Sequence, residues 1–347
     1  MEIRTIAWVN NKIRIIDQTK LPQGIKYLDI KDLKTLWIAI KELKVRGAPV
    51  LGAAAALGSF VGIRYSRAAS FNRFMQELEK VAKYIGSSRP TARNLFWGLE
   101  RVKKIALDNK GKPIRIIKSM ILKEAQAIIQ DDRVSCRKIG SYGARLVKDA
   151  DVILTICNAG ILATIDYGTA LGVIYRAHQQ RKNIKVYACE TRPLLQGARL
   201  TTWELQKRGL DVTLICDSMA ATLMRSGKID KVITGADRIA ANGDSANKIG
   251  TYNLAVLSRY HKIPFYVAAP ASSFDLSIKS GQGITIEERD PREITELFFK
   301  KPIAVSGVKV FNPAFDVTDQ GLISAFITDK GIIKPPYKKN IQKTFSK

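Results

Sequence analysis

From about Asp151 onward the chain repeats one pattern: a short run rich in β-branched residues, a polar or glycine-containing turn, then a longer stretch of helical periodicity. The runs Val152–Thr155, Ile184–Cys189, Val212–Cys216, Lys231–Thr234 and Phe265–Ala268 are nearly continuous in apolar character rather than alternating. That predicts strands buried on both faces, as in a parallel sheet covered by helices. The first 145 residues read differently. Two short strand candidates, Thr5–Val9 and Lys12–Ile16, meet at Asn10-Asn11, a pair suited to a hairpin turn. Helical stretches then dominate, near Asp32–Leu43, through Phe71–Ile85 and along Ile114–Gln130. The end of the chain, Ile333–Lys347, contains Pro335-Pro336 followed by lysines and is expected to be a loosely held extension.

In an open α/β sheet, ligands bind outside the carboxyl ends of the strands. The strand candidates lead, in order, into Cys157-Asn158-Ala159-Gly160, Glu190-Thr191-Arg192, Asp217-Ser218, Gly235-Ala236-Asp237 and Ala269-Pro270-Ala271-Ser272. Polar and reactive side chains therefore collect at one edge, and Cys157 and Asp237 become neighbours in space. The densest of these segments comes after the strand at Val232, where Asp237, Asp244, Asn247 and Lys248 crowd into a few residues. A packed core has little use for such a loop.

Composition narrows the chemistry. With 347 residues, 46% of them hydrophobic, the chain can bury a sizeable core. No apolar run reaches the roughly 18 residues that span a bilayer, and the first residues lack the order of a secretion signal, so a cytoplasmic protein is expected. Cys136, Cys157, Cys189 and Cys216 are far apart and form no C-x-x-C pair, and only His178 and His261 are present. Neither a zinc site nor a Ser-His-Asp triad is well supplied. Acid–base chemistry must come from carboxylates, thiols or lysines. The net charge is +26, with 30 Lys+Arg against 13 Asp+Glu in residues 1–150 and 27 against 18 in the remainder. Such a field attracts phosphorylated substrates and, less specifically, nucleic acid, although charge runs ordinarily mark solvated helix faces.

Four segments carry candidate chemistry. Lys44–Gly58 places Arg46 and Gly47 ahead of Ala48-Pro49 at a helix start, where backbone amides and a guanidinium can cradle a phosphate; the competing reading is an Ala-rich helix with an incidental cap. Arg89-Pro90 offers the same ingredients before a second helix. Cys157 sits at a strand-to-helix turn, where a helix start makes a thiol more reactive, whereas Cys189 and Cys216 end apolar strands and read as core. Asp237 can serve as an acid if burial raises its pKa, or can cap a helix. Gln196 is a hydroxyl or phosphate partner, and Asn247-Lys248 are spaced to bind an anion.

Taken in order, Ile16–Thr19, Arg46–Pro49, Arg89–Thr91 with Asn94–Trp97, Cys157–Gly160, Tyr167–Gly172, Glu190–Pro193, Gln196–Arg199, Gly235–Gly243, Asn247–Thr251 and Pro313–Thr318 resemble the methylthioribose-1-phosphate isomerase family nearly end to end. The resemblance implies a small, mostly helical N-terminal domain with a short β element over residues 1–145. It implies a Rossmann-like catalytic domain over residues 146–332, with residues 333–347 as a basic tail. Cys157 and Asp237 are implied to be catalytic, and Arg46, Gly47, Ala48, Arg89, Gln196, Asn247 and Lys248 to contact the substrate. A sugar phosphate is the implied small-molecule partner of a homodimer, with no metal, cofactor, membrane or specific nucleic acid. Two positions depart from the family pattern: Ile156 stands where His is common and Asn253 where Gly is usual. Two rivals share the fold: an isomerase of 5-deoxyribose 1-phosphate or ribose 1,5-bisphosphate, and a non-catalytic regulatory subunit of a translation factor exchange complex.

Overall fold

The computed structural model describes residues 3–345, and the chain is α/β. It divides into two compact units, residues 1–136 with 161–168, and residues 137–160 with 169–347.

The first unit opens with the antiparallel strands β1 (Ile6–Val9), β2 (Lys12–Ile16) and β3 (Tyr27–Ile30). Asn10 and Asn11 take positive φ in the hairpin turn, as a tight right-twisted connection requires. Helices come next: α1 (Leu33–Lys41), α2 (Ala48–Ile63), α3 (Phe71–Gly86), α4 (Arg93–Asp108) and α5 (Ile114–Gly143). Asp32 and Ser70 cap α1 and α3 through bonds from the Thr35 and Arg73 amides. Helix α2 is the centre of the unit, apolar on nearly every side and buried along most of its length, which is the pattern of a core helix. It approaches α4 at Gly52 and Gly98, where a Cβ on Gly98 would lie 2.3 Å from the Gly52 carbonyl oxygen. Helix α5 runs past Gln130, the end expected from its periodicity, to Gly143, and from Arg137 onward it belongs to the second unit.

The second unit is built on β4 (Val152–Thr155), α6 (Ala170–Gln179), β5 (Lys185–Cys189), α7 (Thr202–Lys207), β6 (Asp211–Ile215), α8 (Ala220–Arg225) and β7 (Lys231–Thr234). After them come β8 (Arg238–Ala240), β9 (Ser245–Lys248), α9 (Thr251–Tyr260), β10 (Phe265–Ala268), β11 (Phe274–Asp275), α10 (Arg292–Thr295), β12 (Phe315–Thr318), β13 (Ala325–Thr328), β14 (Gly331–Ile333) and α11 (Tyr337–Phe345). The seven-stranded sheet has the order β14-β13-β10-β7-β4-β5-β6 and is parallel except for β14. From β4 the chain moves outward through β5 and β6, then returns to β7 on the other side, so the strand order reverses between β4 and β7. Crevices of this topology open at that reversal. A four-stranded sheet, β11-β8-β9-β12, is inserted beyond β7.

Two expectations change here. The tail is not loosely held: β14 pairs with β13, and α11 buries Tyr337 and Ile341 in the sheet's core, with the Tyr337 hydroxyl donating to the Ile323 carbonyl. Lys338, Lys339 and Lys343 lie on a helix whose other face buries Tyr337 and Ile341, and that face anchors it; Lys347 lies outside the described residues. Cys216 is exposed rather than core, because β6 is the sheet's edge and its outer side is left open.

Candidate active site

In the second unit, the ends of β5, β4 and β7 lie side by side, and each delivers a sequence-predicted residue. Cys157 comes after β4 in a left-handed conformation, φ 62°, which costs an L-residue roughly 1–2 kcal/mol. Backbone held in this region clusters at functional sites when its surroundings over-determine it. Here they do. The Cys157 amide donates to Thr191 Oγ1 at 2.8 Å, and Thr201 Oγ1 donates to the Cys157 carbonyl at 2.6 Å. The thiol is free of any disulfide and its residue is partly exposed.

The loop after β5 is itself strained. Thr191 and Leu195 have positive φ, and Asp217 accepts from the Thr191 and Arg192 amides at 2.9 and 2.8 Å. Gln196 leads into one π-helical turn, Gly197–Thr201, of the kind that often marks functional sites. Gly197 is required because a Cβ there would lie 1.7 Å from the Cys189 carbonyl oxygen. Gln196 is 5% exposed and its Oε1 has no hydrogen-bond partner among the described residues. A buried acceptor without a partner is costly, and a ligand hydroxyl would satisfy it.

Asp237 comes after β7 and is half-buried. It does not cap a helix, because β8 begins at the next residue; its amide instead donates to the Ala246 carbonyl at 2.9 Å and ties it to β9. Strand β9 carries Asn247 and Lys248, both buried. Asn247 Nδ2 donates to Thr251 Oγ1 at 3.0 Å. Lys248 Nζ donates to the Ala314 carbonyl at 2.9 Å and lies 4.7 Å from the centre of the Phe315 ring. Opposite Asn247 on β12 stands Asp316, whose Oδ2 accepts from the Gly250 amide at 2.7 Å. Burial pushes the Asp316 carboxyl up to about 6, against the opposing pull of the Gly250 and Tyr252 amides and of Lys248. Asp244 fixes this corner by accepting from the Gly281 and Gln320 amides at 2.8 and 3.0 Å.

In the first unit, Arg46 is 8% exposed, and its Nε donates to Gln18 Oε1 at 2.9 Å while Gln18 Nε2 donates to the Leu162 carbonyl at 2.7 Å. Gly47, at φ 106°, starts α2 with Pro49 in the first turn; a Cβ on it would lie 2.4 Å from Ala163. Only glycine fits both the angle and the space. Arg89 lies in the loop before α4, which starts three residues past Pro90, at Arg93, rather than at the proline. Helices α2 and α4 both begin within about two turns of the Gly52–Gly98 crossing, so Arg46, Gly47, Ala48 and Arg89 precede or open two helix starts that converge in one unit. Helix starts with adjacent guanidinium groups suit a phosphate.

Among the described residues, no group of three or more His, Cys, Asp or Glu side chains is placed to hold a metal ion, and no helix is long and apolar enough to cross a membrane. Sequence reasoning gave no role to Thr191, Thr201, Glu204 or Asp316. Asp316 lies within a motif that carried the resemblance, but Glu204, in Trp203-Glu204-Leu205, has no local pattern that marks it.

Residues 44–335 match the family model described as "Initiation factor 2 subunit family". The chain belongs to that family. Among curated members, it is 53% identical to a 5-deoxyribose 1-phosphate isomerase of Moorella thermoacetica over 99% of this chain and 98% of that protein. It is 52% identical to a methylthioribose-1-phosphate isomerase of Thermosipho africanus over 99% of both. Among solved members, 5-methylthioribose 1-phosphate isomerase from Pyrococcus horikoshii OT3 superimposes with a TM-score of 0.89 at 44% identity, covering 99% of this chain and 96% of that one. A structure described as translation initiation factor eIF-2B, subunit delta, from A. fulgidus gives 0.86 at 46% identity, covering 99% of this chain and all of that one. The initiation factor 2 subunit family thus includes proteins named for an isomerase and proteins named for translation, and the site must decide between them.

Proposed function

We propose that this chain is an aldose–ketose isomerase that converts 5-methylthioribose 1-phosphate to 5-methylthioribulose 1-phosphate in methionine salvage. The observation that carries the reading is the pair Cys157 and Asp237 on adjacent strand ends at the reversal of strand order, with the thiol held in a left-handed turn. A protein that only binds has no need of a partly exposed, strained cysteine after one strand and a half-buried acid after the strand next to it. The relatives with isomerase names at about half identity over their full length support the same reading.

The C1-phosphate locks the sugar ring and hides the carbonyl on which an ordinary aldose isomerase depends. Asp237 donates a proton to the ring oxygen, and the C1–O bond to that oxygen breaks with the phosphate still attached. Hydrogen then moves from C2 to C1, and the C2 hydroxyl becomes the ketone as its proton returns to the Asp237 carboxylate, so substrate and product are isomers and the acid is regenerated. Cys157 serves one of two roles: it takes the C2 proton and returns it to C1, or it stabilises a direct hydride shift. Solvent deuterium in product C1 identifies the first route, and full retention identifies the second. General acid help of this kind is worth about 10²–10⁴ in rate. Arg46, the Gly47 and Ala48 backbone and Arg89 of the first unit are assigned to the phosphate as charge-assisted donors, an assignment that rests on the family resemblance, which also names Lys248 as a substrate contact. Asn247 and the partnerless Gln196 oxygen are assigned to the sugar hydroxyls.

The Moorella relative favours a second substrate, 5-deoxyribose 1-phosphate, which differs only at C5. Initial rates on the two sugars and on ribose 1,5-bisphosphate, measured with one preparation, test the assignment: a higher kcat/KM for the methylthio sugar supports it, and a clear preference for another transfers it. The chain is further assigned to a cytoplasmic homodimer. Phe298, Phe299, Ile303, Val305, Val308 and Phe311, between 42% and 79% exposed, form an apolar stretch that a second copy would cover. Light scattering at micromolar concentration reads the mass.

A further inference from the structure

Glu204 is the least exposed acidic residue among those described, at 1%, and the mechanism above gives it nothing to do. It stands in the first turn of α7, directly after the π-helical turn. Its Oε1 accepts from Asn158 Nδ2 at 2.9 Å and its Oε2 from the Tyr175 hydroxyl at 2.8 Å. The carboxylate also fills the space beside Gly160, where a Cβ would lie 2.1 Å from Oε2. It therefore grips the residue directly after Cys157 and dictates glycine two positions further on. A second arm runs through Thr201, three residues before it: Thr201 Oγ1 accepts from Asn158 Nδ2 at 3.3 Å and donates to the Cys157 carbonyl at 2.6 Å. Asn158, Tyr175 and Thr201 are all at least 97% buried, so the framework is dry although the thiol's own residue is partly open.

We propose that Glu204 is a positioning residue for Cys157: its buried carboxylate clamps the Asn158 side chain and, with Thr201, holds the left-handed turn that presents the thiol. The π-helical turn fits this role, because the extra residue it inserts lets Thr201 reach the Cys157 carbonyl while Glu204, on the same face of the helix, reaches Asn158. The carboxylate, which only accepts, suits a place where an amide and a phenol both donate. The inference rests on the assignment of Cys157 as a catalytic group.

The test compares Glu204→Ala and Glu204→Gln in a Cys216→Ser background, which removes the other thiol open to reagents. Glu204→Ala is expected to lower kcat on 5-methylthioribose 1-phosphate by about 10²-fold, the scale of a misplacement of about 1 Å, with KM changed less than about threefold. The pH midpoint of Cys157 alkylation by iodoacetamide moves by half a unit or more in the same variant. Glu204→Gln keeps an acceptor for Asn158 and restores kcat to within about tenfold of the parent. A Glu204→Ala protein with parental kcat and alkylation midpoint, whether or not its melting temperature falls, overturns the inference. If Glu204→Ala fails to fold, Asn158→Ala, which removes the group Glu204 holds, must show the same kcat loss and midpoint shift, and parental values there overturn it as well. A parent protein without turnover refutes the isomerase assignment instead, and the alkylation comparison then decides the positioning role alone.

Discussion

Cys136 and Cys157 are both thiols, one of them among acids, and they stand in opposite circumstances. Cys136 lies inside α5, fully buried, with its Sγ donating to Asp132 Oδ1 at 3.6 Å; burial first, and then Asp132, pushes the thiol far above its ordinary range. Asp132 accepts from the Ile165 amide at 2.9 Å, and its carboxyl is itself pushed up to about 7 by burial, with Asp166 adding to the shift. Nearby, Arg133 donates to Asp166 at 2.6 Å. This cluster holds a chain segment in place. Cys157 leaves the end of a strand in a strained turn, partly open, with its backbone bonded on both sides. Acids beside a thiol do not make a site; access and a backbone conformation held against its preference do.

The sharpest way to break the comparison is to exchange sulfur for oxygen in each place. Cys157→Ser is expected to lower kcat by about 10³-fold or more with little change in stability, because hydroxyl is a far weaker base and nucleophile than thiol near neutral pH. Cys136→Ser keeps kcat within about threefold and destabilises by roughly 1–3 kcal/mol in urea, the cost of a buried hydroxyl with poor partners. Equal kcat losses in the two would abolish the distinction.

Next in size is Gly160→Ala. The added methyl meets the Glu204 carboxylate at 2.1 Å in a packed region and should cost about 1–3 kcal/mol together with activity. Gly209, at a positive φ but with nothing within 4 Å of an added Cβ, is the control: Gly209→Ala loses about 1 kcal/mol from strain and no activity.

A pH titration of stability sharpens the comparison from the other side. Because the folded Asp132 binds its proton more tightly than the unfolded residue, its ordinary value of 3.8 rising to about 7, the folded state's advantage is greatest below about 4. That advantage declines as pH rises through 7 and is level above. Asp132→Asn should flatten this decline, on the order of 4 kcal/mol at most, in denaturant melts from pH 4 to 8. A parental slope would show that Asp132 stays ionised. Smallest in effect and simplest to read, iodoacetamide on the folded protein should label Cys157 and Cys216, and should reach Cys136 and Cys189 only after unfolding.

Much of the sheet was legible in the sequence, for a physical reason. Val152–Thr155, Lys231–Thr234 and Phe265–Ala268 are short apolar runs closed by glycine or polar turns, and they are the strands β4, β7 and β10 without adjustment. Strands buried on both faces announce themselves. The inserted sheet did not: β8 and β9, Arg-Ile-Ala and Ser-Ala-Asn-Lys, are short and polar, and their burial comes from β11 and β12, far along the chain. The strand runs read from the sequence also put the ends that lead into Cys157 and Asp237 on neighbouring strands, β4 and β7, which pair in parallel and end at the same edge. Glu204 was invisible because its importance lies in what lines up against it in space, Asn158 from one loop and Tyr175 from another helix. Asp316 was hidden in the same way, opposite Asn247 on a strand that periodicity could not register.

The most direct measurement is conversion of 5-methylthioribose 1-phosphate to its ketose by the purified protein, beside Cys157→Ser and Asp237→Asn at matched folded concentration. The account predicts turnover by the parent and its loss, by about 10²-fold or more, in each variant. A well-folded parent without turnover on this sugar, or variants that keep parental rates, would contradict it.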